Sequence, residues 1–147
     1  VDVEGMLATV QHTQLIRFKN AGIVDRQKMI SCEYAELLQK IGQLFSQLEQ
    51  NEIENFTNYQ AALKSFLSAA LICKWGYQLL IDESVEQRLL KQNAKSSTDQ
   101  IYLTMVELLS KSYQQKSQTA FVHAWHIFIK FGIANLKIDL KNILKSE

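Results

Sequence analysis

Proline is absent from the sequence, and glycine occurs only at Gly5, Gly22, Gly42, Gly76 and Gly132. Sheet-rich folds need many tight turns, and tight turns draw on Gly and Pro. Their scarcity excludes most all-β architectures and points to an all-α chain. Arginine is almost as rare, present only as Arg17, Arg26 and Arg88. Nucleic-acid binding domains concentrate basic side chains and use Arg for forked contacts. Residues 1–60 carry five basic and eight acidic side chains, residues 61–147 eleven and seven. So mild an asymmetry excludes a nucleic-acid footprint.

Cysteine appears twice, as Cys32 and Cys73, at no zinc or redox spacing. Two reduced thiols in a cytoplasmic protein are expected. The start, VDVEGMLATV, shows no signal peptide, and the leading Val fits a chain cut from a longer protein or trimmed by processing. No long apolar run is free of charge. Residues 61–80 include Lys64 and Lys74, and residues 121–140 include Lys130, Lys137 and Asp139. A charge at mid-bilayer costs about 2.5–3.5 kcal/mol, so no transmembrane segment is expected.

What is present is helix-forming. Gln, Lys, Leu, Ala and Glu dominate, and apolar residues recur at three- and four-residue steps. The first predicted helix spans 3–20, with Val3, Met6, Leu7, Val10, Leu15 and Phe18 as its stripe and Gly22 as its stop. Asp25 caps a second, whose seam is Ile30, Tyr34, Leu37, Ile41, Leu44 and Leu48, running to about Gln50. A break is expected near Asn51. The third seam continues from Phe56 through Tyr59, Leu63, Phe66, Ala70, Cys73 and Tyr77 to about Ile81. Leu67, Leu71, Trp75 and Leu79 form a second apolar face, which makes this helix central. Capping boxes are read at Ser84/Gln87 and Ser97/Gln100, opening a fourth and a fifth helix. Residues 114–119 form the last loop, and 121–145 the last helix. The architecture implied is one domain over 1–147: a single antiparallel helical bundle of five to six helices.

Candidate chemistry is thin. His123 and His126 share a helix side but lack the further ligands that a metal needs, so a core-edge role is expected. No histidine lies in 75–95 to serve as a haem ligand. Helical enzymes that hold Mg²⁺ and cleave nucleotides use inward carboxylates on adjacent helices. Glu33 and Glu36 read as a wet face, and residues 56–81 offer no Asp or Glu at all. No phosphate-binding loop, dinucleotide fingerprint or nucleophile elbow occurs. Neither an enzyme nor a cofactor is expected.

Two surfaces remain. His126, Lys130, Lys137, Lys141 and Lys145 fall at helical steps into one basic stripe, suited to an acidic partner or an anionic lipid surface. Phe66, Trp75, Tyr77, Trp125, Phe128 and Phe131 form an aromatic set able to line an apolar pocket for a lipid-like ligand. The leading expectation is a regulatory or adaptor-like module that binds a protein partner or forms a homodimer through surplus apolar surface.

Overall fold

A computed structural model of the chain describes residues 2–48, 51–91 and 96–143. These residues form six α helices and no strand, so the all-α expectation holds. The helices are α1 (Val3–Ala21), α2 (Arg26–Ser46), α3 (Glu52–Ile72), α4 (Glu83–Lys91), α5 (Thr98–Gln115) and α6 (Gln118–Lys130). Two 3₁₀ turns, Gly76–Leu79 and Leu140–Asn142, and a π turn, Phe131–Asn135, join the rest.

Short polar side chains start the helices. Asp2, Asp25, Asn51 and Ser117 each accept a first-turn backbone N–H, and Ser97 with Gln100 closes the expected capping box. Each such cap contributes about 1 kcal/mol. The α4 start differs from expectation. Asp82 Oδ1 accepts the Val85 N–H at 2.8 Å, and Ser84 lies inside the helix. Asp82 stands two residues before Ser84, directly ahead of the helix, where its carboxylate reaches the orphan donors of the first turn.

Helix ends explain the larger departures. Gly22 closes α1 in the left-handed conformation, as expected. Lys74 and Lys116 adopt the same conformation at φ 63° and 52°. Trp75 N–H then reaches back to Ala70 O, and Ser117 N–H to Ser112 O, satisfying carbonyls at the helix ends. Consequently α3 stops at Ile72, and Tyr77 leaves the predicted seam to stand 86% exposed. The last helix is shortened too. α6 ends at Lys130, the chain loosens into the π turn, and Lys137 is again left-handed at φ 57°.

Contacts along the chain fix the layout. Gln47 meets Asn58 at one end of the α2–α3 pair, and Arg26 donates to Ile72 O at the other, so the two helices run antiparallel. Tyr34 meets Ser112, and Phe45 meets Tyr102, so α5 is antiparallel to α2. Rings of α3 and α6 pair in opposite order, Tyr59 with Phe128 and Phe66 with Phe121. α5 and α6 form a hairpin across Lys116 and Ser117. These four helices therefore surround the core as antiparallel neighbours, and the segment carrying α4 crosses from the end of α3 to the start of α5. α1 packs on α3 and on the Gly76–Leu79 turn, and α4 rests on α6.

α3 is central, as its two apolar faces imply: Ala62, Leu63 and every residue from Ser65 to Ala70 are buried. Polar tips of core rings are satisfied. Tyr59 Oη donates to Phe128 O and Trp125 Nε1 to Leu79 O, both at 2.9 Å. Gly132 lies against the Tyr59 ring, where any Cβ would overlap it. Gly42, inside α2, has only Tyr102 Oη within reach of an added Cβ, at 3.6 Å. Gly132→Ala should therefore lose about 1–3 kcal/mol of stability through overpacking. Gly42→Ala should be neutral or gain up to about 1 kcal/mol from helix propensity. Urea midpoints of the two variants check this; equal effects would contradict the close approach.

Candidate functional site

The apolar seam of α1 contains one polar member. Val3, Met6, Val10, Gln14 and Phe18 are the buried positions, and Leu15, expected in that stripe, is 64% exposed. Steps of three, four, four and four keep Gln14 on the inner face and turn Leu15 outward. The two N–H groups of Gln14 Nε2 serve three acceptors: Ser68 O at 2.6 Å, Ser68 Oγ at 2.8 Å and Glu33 Oε2 at 3.0 Å. Three helices thus meet at one amide.

Glu33 is correspondingly not on a wet face; it is 2% exposed. Its carboxylate pairs with the Arg17 guanidinium, whose Nη1 also donates to Glu36 Oε2 at 3.0 Å. Arg17 lies over the Phe18 ring, 4.8 Å from its centroid. A buried carboxylate is tolerated only when paired and hydrogen-bonded, and Glu33 is both. Sequence reasoning missed it, although a signal existed. Glu33 stands three residues after Ile30 and four before Leu37, on the inner face of α2.

Beside this network a cleft of about 540 Å³ opens between α1, α2 and α3. Thr9, Thr13 and Arg17 line it from α1, Glu36 and Lys40 from α2, and Thr57, Gln60, Lys64, Ser65 and Ser68 from α3. Partial burial pushes the Lys64 ammonium below its ordinary pKa. From Thr57 to Ser68 the α3 wall extends about 16 Å at 1.5 Å per residue. Gln60 Nε2 donates to Ile143 O, pinning the C-terminal turn close to this wall.

A second cleft, of about 410 Å³, lies where the ends of α3 and α5 meet the start of α2. Tyr34, Cys73, Trp75, Ser112 and Tyr113 line it, together with Arg26 and Lys116. The Tyr34 and Ser112 hydroxyls are 2.7 Å apart. Burial pushes the Tyr34 hydroxyl well above its ordinary pKa, and burial likewise raises the Cys73 thiol against the opposing effects of Tyr34 and Arg26. Both cysteines are free thiols.

The aromatic residues singled out by sequence are only partly gathered. Phe66, Trp125 and Phe128 pack ring to ring in the core, with centroids 4.8–6.2 Å apart. Phe131 stacks on Phe45 at 4.7 Å. Trp75 touches Phe121 at 5.6 Å and faces the second cleft, and Tyr77 stands apart in solvent.

The basic stripe is not one helix face. His126 and Lys130 are on α6, Lys137 terminates the following turn, and Lys141 sits in the last 3₁₀ turn. Lys145 lies outside the described residues. His126 is half-buried; burial, then Arg88 and His123, hold its pKa below the ordinary histidine value. Among the described residues no His, Cys, Asp and Glu side chains group in a way that could hold a metal ion. None of the described helices is long and apolar enough to cross a membrane.

The chain matches no protein-family model, no curated protein and no solved structure. Glu33→Gln removes a buried charge partner and should cost about 2 kcal/mol. Glu36→Gln, at a part-exposed pair, should cost under about 1 kcal/mol. Equal losses in denaturant titrations of the two variants would show that Glu33 is not the anchor.

Proposed function

We propose that this bundle is a non-enzymatic binding module, and that the α1–α2–α3 cleft seats a polar, acidic segment of a protein partner. The observation carrying this reading is the make-up of the cleft. Lys40 and Lys64 stand on its two main walls, with hydroxyl and amide side chains between them. Arg17 is engaged by Glu33 and Glu36, and Lys40 and Lys64 add positive charge to the lining. Its shape supports a segment rather than a compact metabolite. A wall of about 16 Å matches about five extended residues at 3.3 Å each.

Such a site works by complementarity. The Glu33–Arg17–Gln14–Ser68 network fixes the floor, so little side-chain freedom is lost when a partner docks. Lysine ammoniums give attraction without a fixed bonding geometry, which suits a carboxylate in an extended peptide.

Selection from a random decapeptide library on the immobilised chain tests the proposal. Acidic sequences should be enriched, and their affinity should fall with added salt. Lys40→Glu and Lys64→Glu should each weaken the selected peptides by about tenfold. Enrichment without acidic bias, or peptides indifferent to both substitutions, would overturn the assignment.

A further inference from the structure

The second cleft has different chemistry and carries a separate conclusion. Three aromatic side chains, Tyr34, Trp75 and Tyr113, contribute to its walls, and Tyr34 and Tyr113 already pair at 5.2 Å. Among the described residues, its charged lining side chains are Arg26 and Lys116, both cationic. A volume of about 410 Å³ lies in the usual range for small-ligand sites. We propose that this cleft binds a small planar anion, an aromatic carboxylate, whose ring packs on Trp75 and whose charge is met by Arg26 and Lys116.

Each part of that ligand answers a feature of the site. A flat ring gains most from an aromatic wall, because offset or edge contacts add to the area buried. A carboxylate matches the two parallel N–H groups of a guanidinium fork. Burial disfavours ionisation of Tyr34 and Cys73, two lining groups that would repel an anion if charged. The buried Ser112 hydroxyl, already against Tyr34, adds a neutral hydrogen-bonding group.

A purely structural role for the two cations is the competing explanation. Arg26 Nη2 donates to Ile72 O at 2.8 Å, and Lys116 ends α5, so both sit where helix C-termini attract positive charge. That bond occupies one of five guanidinium N–H groups, so serving the helix end does not exhaust the side chain. Ligand charge separates the two explanations. A site built only to neutralise helix ends has no preference for an anion.

The experiment is a calorimetric titration of the full chain with 2-naphthoate, with uncharged 2-naphthalenemethanol and cationic 2-naphthylmethylammonium for comparison. Tryptophan fluorescence and the Trp75 indole N–H resonance locate the bound ring. The carboxylate should bind saturably and more tightly than the alcohol, and the ammonium should not bind. Lys116→Gln, at an exposed position, should weaken naphthoate by about tenfold without disturbing the fold. Arg26→Gln should do the same, and Trp75→Leu should abolish binding in the calorimeter. No saturable binding at millimolar naphthoate would overturn the proposal. Equal affinity for the alcohol, or a Lys116→Gln variant that binds unchanged, would overturn it too.

Discussion

The interlock between α3 and α6 sets the rest of the molecule. The Tyr59 ring lies flat on Phe128, with centroids 4.2 Å apart and planes 1° from parallel, and its hydroxyl donates to the carbonyl of the same residue. Ring contact and hydrogen bond act on one side chain, so α6 has little freedom to slide along α3 without losing both. The close seat of Gly132 on that ring brings the chain after α6 inward. There the helix gives way to the π turn, and Leu140 and Ile143 fold back onto the core.

With rings filling the side of α3 that faces α6, and α2 packed along another, polarity is left to the side facing α1. Ser65 and Ser68 occur there, the only polar residues among the buried positions of α3. Gln14 and Glu33 answer them from α1 and α2. Hydroxyls, amides and the Lys40 and Lys64 side chains line the cleft beside that floor. The proposed binding surface is thus the complement of the aromatic interlock: one side of α3 is closed by rings, and the other stays open and wet.

Much of the fold was legible because its signals are local. The seam of α2, the break at Asn51, the Gly22 stop and the Ser97/Gln100 box all depend on residues within a few positions of one another. The helix ends at Lys74, Lys116 and Lys137 were not all legible in the same way. Lysine carries no left-handed preference, and only the tertiary fit makes it accept that conformation. Without those stops, the third helix reads on to Ile81 and the last to 145, and lysines separated by turns look like a single stripe. The site was less legible still. Glu33 is charged, so composition assigns it to solvent. Only its spacing from Ile30 and Leu37, together with a glutamine in the facing seam of α1, marks it as inward. Trp75 belonged to the aromatic set read from sequence, but its cleft depends on three chain segments whose meeting no local pattern encodes.

Native-state amide hydrogen exchange reads the hub role of α3 residue by residue. If α3 is the hub that α1, α2 and α6 close upon, the amides of residues 62–70 exchange only through global unfolding and are the slowest in the protein. α4 and the Leu140–Asn142 turn, which have few neighbours, should exchange through cheaper local openings. Amides of residues 62–70 exchanging as fast as those of α4 would contradict the account, because the helix said to organise the bundle would then open on its own.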